Sequence, residues 1–543
     1  MLRKITLLVL VGLFCQKLSA QNDYKNFSQL SNSLKQLASK NSSLAQLKAI
    51  GKSVQGREIW LLTLTKGGKA EEKPAICLVA GIDAFHLAGV ESSLQIAENL
   101  LQNASKDSVQ KVLEQKTIYI VPCLNPDAYE QAFAKVKYER NFNASNSDND
   151  RDGKLNEDSF EDLNNDGYIT LVRIEDATGE YKPHKDDSRI MVKADATKGE
   201  TGSYILITEG IDNDKDGKWN EDAEGGIVLN KNFTFNYPFF TDGAGEYAVS
   251  EPENRALLDF LYEAKNVYAV FQFGVVNNLT EPNKYDKQKA TQKIIAGWQE
   301  KDVKINEQVS KLYEKAGLKN YPSLPTQGGN FTDWAYFHYG RLSFGTPVWA
   351  IPKDTAKKNA IDNEEVRFLR WAEANKVPNV FLDWKSINHP DFPNKKAEIG
   401  GIVPFVRYNP PMNFLKESIE KHTKFFTEFL WQMPSLQITN VRTESLSGGL
   451  TRITLDIHNK GLLPTHSELG EKTRHVDKLK VEVLTSKNQN IVAGKRKEVI
   501  RKPLGAGEKL ELSWIIAGSG EVQIQMHCAT ATNGKESVKV SLK

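Results

Sequence analysis

The chain is poor in sulfur and has no dominant sign of charge. Its 543 residues include only 4 cysteines and 5 methionines, and 71 basic residues nearly balance 69 acidic ones. So few cysteines exclude a disulfide-dense scaffold. A formal net charge of +2 offers no general attraction for nucleic acid or an anionic membrane, so we expect no nucleic-acid partner. The hydrophobic fraction of 40% is ordinary for a globular protein with sizeable cores.

Long apolar runs are missing beyond the first twenty residues, so no transmembrane segment is predicted. The start of the chain has the form of an export signal. Arg3 and Lys4 precede an apolar run over 5–14, and Leu18-Ser19-Ala20 offers a cleavage site before Gln21. The run is too short for the alternative, a single membrane anchor. We therefore predict a signal peptide over 1–20 and a secreted or periplasmic protein.

Three cysteines remain after this cleavage. Cys77 and Cys123 lie in or beside apolar, strand-like runs, and Cys528 lies far along the chain. An odd number at such positions predicts buried thiols. A bridge between Cys77 and Cys123 is the alternative.

Strand and helix patterns alternate in the first part of the chain. The run 75–80 reads as a buried strand, a polar turn with Asp83 and His86 follows it, and a helical pattern begins near Leu87. Another strand is predicted over 117–121. This alternation is typical of an α/β sheet with helices on both faces, in which ligands bind at the carboxyl ends of the strands. Leucines at helical spacing predict surface helices over 21–50, and a long helix is predicted over 290–316.

An insert over 141–248, rich in Asp, Asn and Gly, interrupts that rhythm. It holds three segments in which oxygen-bearing side chains alternate and a glycine follows. Carboxylates can close in on a hard cation there and glycine makes the sharp turn, as in calcium loops. The predicted ligands are Asp148, Asp150 and Asp152, then Asp162, Asn164 and Asp166, then Asp212, Asp214 and Asp216.

The loops depart from the calcium pattern at position twelve, where a bidentate glutamate is usual. Ser159, Arg173 and Ala223 stand there, and the nearby acidic residues Glu157, Asp158, Glu221 and Asp222 could supply the carboxylate instead. We predict structural calcium that orders the insert. The alternative is a solvated acidic loop.

The composition changes again near Pro434. Short runs of alternating apolar and polar residues, separated by Gly and Asn, fill the rest of the chain. This pattern predicts a β-sandwich domain over 434–543, after an α/β domain over 21–433.

The order of motifs over 24–432 resembles the zinc carboxypeptidase family, the carboxypeptidase A-like metallopeptidases. The similar segments are Ser53-Val54-Gln55-Gly56-Arg57-Glu58-Ile59, Gly81 to His86, Asn125-Pro126-Asp127, Asn230-Lys231-Asn232-Phe233, Ser250-Glu251-Pro252-Glu253 and Asp333-Trp334-Ala335-Tyr336. The resemblance implies an α/β fold around a mixed sheet. It also implies an ancestral activity in which a zinc-activated water removes a C-terminal amino acid from a peptide.

The resemblance places the family's zinc ligands on Asp83, His86 and Gly274, and its catalytic glutamate on Pro347. A shift of register would bring Gln272 to the site in place of Gly274. The family's substrate-binding arginine, beside Asn230, is replaced by Lys231, and Arg140 falls near its second arginine.

These substitutions bear on the chemistry. Gly274 has no ligand atom, Gln272 would be a poor zinc ligand, and Pro347 cannot accept a proton. We therefore predict a catalytically inactive family member that binds the end of a peptide or glycan, with calcium as a cofactor and zinc binding in doubt. The alternatives are an active metallocarboxypeptidase with a rearranged zinc site, and a different alignment at the site.

Two pairs of residues also have plain structural interpretations. Asp83 and His86 could simply hydrogen-bond each other, and Lys231 and Arg140 could be solvated charges. The sequence leaves the ligand and the oligomeric state open.

Overall fold

The computed structural model describes residues 24–146, 148, 153–220, 225–318, 321, 327–352 and 363–542. The predicted signal peptide therefore lies outside the described residues. A search of the described ranges finds no helix with the length and apolarity needed to span a bilayer. The helices are α1 Phe27–Lys40, α2 Leu87–Gln102, α3 Asp107–Gln115, α4 Pro126–Glu130, α5 Pro252–Glu263, α6 Lys287–Thr291, α7 Glu300–Lys315, α8 Phe331–Phe337, α9 Glu364–Ala374, α10 Lys416–Gln432 and α11 Glu468–Lys472.

A mixed six-stranded sheet, in the order β1-β2-β4-β3-β9-β10, is the centre of the α/β domain. Its strands are β1 Ala45–Lys52, β2 Glu58–Leu64, β3 Ala75–Val79, β4 Thr117–Val121, β9 Val267–Phe273 and β10 Leu342–Thr346. β4, β3, β9 and β10 pair in parallel, whereas β2 pairs antiparallel with both β1 and β4. Along β3, Ile76 and Leu78 join one core while Cys77 and Val79 join the other. Both faces are covered, which is why the strand reads as an unbroken apolar run.

The insert contributes most of a second sheet, with the order β11-β12-β5-β8-β6-β7. Its strands are β5 Leu171–Glu175, β6 Tyr181–His184, β7 Asp187–Lys193, β8 Tyr204–Thr208, β11 Phe381–Ile387 and β12 Ala397–Ile402. All pairings in it are antiparallel. The loops of the insert are therefore attached to a sheet that also includes strands from much later in the chain.

The C-terminal region forms two four-stranded antiparallel sheets around their own core. The strands are β13 Leu436–Leu446, β14 Leu450–Asn459, β15 Leu479–Leu484, β16 Asn490–Ala493, β17 Lys497–Ile500, β18 Lys509–Ala517, β19 Gly520–His527 and β20 Lys535–Leu542. The predicted fold class, a mixed α/β sheet followed by a β-sandwich, is confirmed. The exact domain boundary near residue 434 stays a prediction.

Buried Asp302 of α7 links the α/β domain to the C-terminal region. Its carboxylate accepts hydrogen bonds from the backbone N–H groups of Glu468 (2.7 Å) and Leu469 (3.0 Å) at the start of α11, and from the Tyr336 hydroxyl (2.7 Å). A carboxylate at a helix N-terminus is stabilising because it satisfies N–H groups that lack partners inside the helix. The sandwich is thus held to the α/β domain by specific polar contacts.

Two secondary-structure predictions made from local sequence patterns were wrong. The last part of the range 21–50, predicted to hold surface helices, belongs to β1, because pairing with β2 outweighs the leucine spacing. The helix predicted over 290–316 begins only at Glu300. A Cβ on Gly297 would lie 2.8 Å from Lys289 Cβ, so this turn depends on the absence of a side chain. The three cysteines are buried and free, as predicted.

Candidate functional site

The loop after β3 carries Asp83 and His86 to the carboxyl edge of the parallel strands. Gly81 makes the turn possible, with φ at +63° and a position where a Cβ would lie 2.9 Å from the Cys123 Cα. The His86 backbone N–H then donates to the Asp83 carbonyl (3.0 Å), and α2 begins at the next residue. This is the position at which open α/β sheets bind ligands.

Asp83 is buried, and its carboxylate is occupied by hydrogen-bond donors. Asn230 Nδ2 donates to both oxygens (3.0 and 3.3 Å), while Gln272 Nε2 (3.2 Å) and the Val275 backbone N–H (3.3 Å) donate to Oδ2. Burial raises the pKa of Asp83 to about 6, and the three donors oppose that rise. The carboxylate therefore links the loop after β3 to β9 and to the Asn230 segment.

His86 faces a different environment. Its ring stacks on Tyr408, with 5.2 Å between centroids, and packs edge-on against Phe85. Burial lowers the pKa of His86 to about 4, so the imidazole is neutral at pH 7. Among the described residues its Nε2 atom has no hydrogen-bond partner. Asp83 and His86 hydrogen-bond each other through backbone atoms, as the structural alternative expected, and the contact does not involve their side chains.

The third ligand position has no room for a side chain. A Cβ on Gly274 would lie 2.4 Å from Asp83 Oδ2 and 2.8 Å from Gln272 Nε2. The Asp83 carboxylate and the Gln272 amide thus occupy the space that a ligand residue at Gly274 would need. We name this set of contacts the Asp83 cluster: Asp83, Asn230, Gln272, Gly274 and Val275.

Pro347 follows β10 and lines a small cavity with His86. The cavity measures about 20 Å³, and Glu364 and Tyr408 also reach it. Proline offers no proton acceptor at this position. Glu364 is the only carboxylate among the described residues that line the cavity.

The residues predicted to bind substrate make contacts within the protein. Asn230 donates to Asp83 through Nδ2 and accepts the Phe331 N–H through Oδ1 (3.0 Å). Lys231 Nζ donates to the Asp242 carbonyl (3.0 Å). Buried Arg140 donates to the carbonyls of Phe142 and Asn143, both at 3.0 Å. The structure brings Asn230 to Asp83, but it directs the cations of Lys231 and Arg140 to backbone oxygens.

The acidic loops of the insert are partly described. Asp150, Asp152 and Ala223 lie outside the described residues, as do Glu221 and Asp222. In the second loop, Asp162 Oδ1 and Asn164 Oδ1 both accept the Asp166 N–H. In all three loops the first aspartate, which is Asp148, Asp162 or Asp212, accepts the N–H of the glycine five residues later.

One loop gathers its carboxylates. Ligand atoms of Asp212, Asp214 and Asp216 lie within 4.8 Å of one another, and this is the only such acidic, histidine or cysteine group among the described residues. At position twelve of the second loop, Arg173 pairs with Glu398 (2.7 Å) and not with the loop. Asp158 is buried and accepts the N–H groups of Asn213 and Asn220. It therefore ties the first loop to the third.

A family model described as zinc carboxypeptidase matches residues 30–350, which is more than half of the chain. The chain belongs to the zinc carboxypeptidase family. Residues 435–541 match a separate domain of unknown function, DUF8731. The family resemblance predicted from the motifs is thereby confirmed.

Curated relatives match over short segments. Carboxypeptidase D of Anas platyrhynchos is 38% identical over 112 residues, 20% of this chain and 8% of that protein. A zinc carboxypeptidase of Saccharothrix mutabilis subsp. capreolus is 28% identical over 118 residues, 21% of this chain and 27% of that protein. The chain therefore spans only about a quarter or less of these relatives' length.

Two solved structures are similar over about three quarters of the chain. Thrombin activatable fibrinolysis inhibitor has 12% identity and a TM-score of 0.41, over 76% of this chain and 74% of that one. Carboxypeptidase A of Helicoverpa armigera has 13% identity and a TM-score of 0.41, over 75% and 73%.

The zinc that is typical of zinc carboxypeptidases does not fit the Asp83 cluster. A catalytic zinc needs three protein ligands with free lone pairs and an open position for water. Here the Asp83 oxygens already accept hydrogen bonds, and Gly274 supplies no ligand. Of the predicted ligands, His86 keeps one buried ring nitrogen, Nε2, without a partner among the described residues.

The sequence revealed part of this arrangement. Gln272 is a polar residue in an otherwise apolar strand, which marks it as a buried group with a partner. Tyr408 and Asn409 give no local signal, although Asn409 donates to the Phe85 carbonyl (2.7 Å) from 324 positions away. Such contacts depend on the tertiary fold.

Proposed function

We propose that this zinc-carboxypeptidase-family protein is exported, does not hydrolyse peptides, and serves as a binding protein for a peptide or glycan. The observation that carries the proposal is the Asp83 cluster. A side chain at Gly274 would overlap the Asp83 carboxylate, whose oxygens accept hydrogen bonds from Asn230, Gln272 and Val275. The metal that would activate the water has no set of three ligands there.

The missing base supports the same proposal. General-base catalysis requires a group within hydrogen-bond reach of the attacking water, and Pro347 has none to offer. Loss of the base alone typically lowers a rate by about 10²–10⁴-fold. Loss of the metal adds to that, because the pKa of the water is no longer lowered.

Metal analysis and a carboxypeptidase assay on the purified chain test the proposal. We expect less than stoichiometric zinc and no zinc-dependent release of C-terminal residues from a peptide panel. An Asp83→Ala variant is the control for contaminating peptidase. Stoichiometric zinc, with turnover that Asp83→Ala abolishes, would show that the protein is an active enzyme.

One observation favours the alternative, a metallocarboxypeptidase with a rearranged site. The Nε2 atom of His86 lacks a partner among the described residues, and Glu364 lines the same cavity. Under this alternative His86 would bind the metal and Glu364 would take the proton. Glu364→Gln would then abolish turnover, whereas our proposal expects no turnover in either protein.

We also propose calcium at the third acidic loop. The carboxylates of Asp212, Asp214 and Asp216 converge within 4.8 Å, and Gly217 follows them. Calcium prefers six to eight oxygen ligands, so backbone carbonyls and waters would complete the shell. Its role would be structural, because β5 to β8 of the insert belong to a sheet with a small core.

A further inference from the structure

A second cavity lies between the insert sheet and the α/β domain. It measures about 300 Å³ and is lined by residues from β5, β7, β8, β11 and β12, by the segment 138–139, and by the segment 404–407. We call it the insert cavity. Volumes of this order are typical of small-molecule sites. Since residues of the insert over 141–248 line this cavity, the insert contributes to a binding-site-sized pocket.

Aromatic rings form much of the wall. Tyr138, Phe160, Phe381 and Trp384 line the insert cavity, and all four are partly exposed. The Trp384 ring is held in place by its Nε1 donating to the Arg189 carbonyl (3.0 Å), and the Arg173 guanidinium lies 4.4 Å from the ring centroid. Phe160 packs on Tyr138 with 4.6 Å between centroids. The rings are thus fixed surfaces, which lowers the entropy lost on binding.

The charges in the wall are already paired. Arg407 Nη1 donates to Glu365 Oε1 (3.0 Å), and Arg189 Nη2 lies 2.6 Å from Asp187 Oδ2. Glu139 accepts the Phe405 N–H (2.9 Å) and faces Arg407 at 3.9 Å. The lining holds two arginines and two glutamates, so their formal charges cancel. An ionic ligand would find no uncompensated counter-charge here.

We propose that the insert cavity binds an uncharged saccharide. The C–H faces of a sugar ring are apolar and pack on aromatic rings, while its hydroxyl groups can donate to carboxylates and accept from guanidinium N–H groups. The insert cavity offers aromatic rings for the C–H faces, and beside them it offers planar ion pairs for the hydroxyl groups. The proposal rests on the proposed binding function, and it gives that function a site and a ligand class.

This site is separate from the Asp83 cluster, although the two are neighbours. Glu365 and Arg407 line the insert cavity, while the adjacent residues Glu364 and Tyr408 line the small cavity beside His86. The same two short segments therefore form the wall between the cavities. The cavity beside His86, at about 20 Å³, is too small for a sugar ring.

Saturation-transfer NMR and calorimetry on the full chain test the proposal. The probes are the neutral disaccharides cellobiose, maltose and chitobiose, with galacturonic acid and a diglutamate peptide as charged comparisons. We expect at least one neutral disaccharide to bind at roughly millimolar concentration or below. Phe381→Ala and Phe160→Ala should each weaken that binding roughly tenfold, the size of one lost aromatic contact.

Phe240→Ala is the matched control, since Phe240 is 85% exposed and does not line the cavity. It should leave saccharide binding unchanged. If Phe381→Ala failed to fold by circular dichroism, Phe160→Ala would decide. Three results would overturn the proposal: no binding of any neutral disaccharide, binding that neither cavity variant weakens, or stronger binding of a charged probe through the same residues.

The carboxypeptidase assay separates this inference from the proposed function. Saccharide binding together with zinc-dependent turnover would refute the absence of catalysis and leave the cavity assignment intact. Absence of both would refute the cavity assignment alone.

Discussion

Replacing Gly274 with alanine tests whether the Asp83 cluster has taken the place of the family's third zinc ligand. The added Cβ would lie 2.4 Å from Asp83 Oδ2 and 2.8 Å from Gln272 Nε2. The φ of Gly274 is not in the left-handed region, so alanine is compatible with the backbone there. Any cost of the substitution is therefore steric. Relief requires the Asp83 carboxylate to rotate away from its donors.

The magnitude follows from those contacts. Overpacking a buried site costs about 1–3 kcal/mol. Each hydrogen bond lost by a charged group costs about 1.5–3 kcal/mol more, and Oδ2 accepts from Gln272 (3.2 Å) and from the Val275 N–H (3.3 Å). We expect Gly274→Ala to lower the free energy of unfolding by about 3–5 kcal/mol, which is less than the full sum of these terms, because partial relaxation lets the carboxylate keep some of its hydrogen bonding.

Urea unfolding of a double-mutant cycle measures this. Asp83→Ala removes the clashing oxygen, so Gly274→Ala should cost much less in that background. The expected coupling between the two sites is about 2 kcal/mol or more. An effect of Gly274→Ala below about 0.5 kcal/mol, or the same effect with aspartate and alanine at position 83, would refute the reasoning.

Three further perturbations address the rest of the molecule. Asp302→Ala leaves the N–H groups of Glu468 and Leu469 without an acceptor, so it should lower the free energy of unfolding by about 3 kcal/mol. It should also expose the junction between the α/β domain and the C-terminal sheets to limited proteolysis. Unchanged cleavage would contradict the role of Asp302 between the domains. Burial raises the pKa of Glu253 from 4.5 to about 7, so between these pH values the folded chain binds more protons than the unfolded chain, and stability should fall as pH rises. Glu253→Gln should remove this contribution, which amounts to a change of up to about 3 kcal/mol in the free energy of unfolding over that pH range. An unchanged dependence of stability on pH would contradict the raised pKa of Glu253. Calcium at about a hundredfold excess over its Kd should raise the free energy of unfolding by about 2.7 kcal/mol. A chelator, or the Asp216→Asn substitution, should abolish this increase. A melting temperature that changes with neither would contradict structural calcium.

Hydrophobic patterns within single strands were sufficient to predict the α/β sheet and the C-terminal β-sandwich. The apolar runs of β3 and β9 reflect burial on both faces of a parallel sheet, which is a local property of each strand. The alternation after Pro434 likewise reflects strands that are buried on one face. The boundaries of elements were harder to predict: Leu44 and Leu47 stand at helical spacing, yet Leu47 lies in β1, which is a strand through its pairing with β2.

The candidate site divides in the same way. The sequence by itself determined that Gly274 and Pro347 cannot perform metal ligation or proton transfer, because those abilities belong to a side chain wherever it lies. Tertiary structure alone decided what occupies the space: the Asp83 carboxylate meets Gln272 across 189 positions of sequence. It likewise decided that Arg140 and Lys231 bind backbone carbonyls, and that the insert lines a cavity. Distances between side chains remote in sequence depend on how the sheets pack, and no local pattern carries that information.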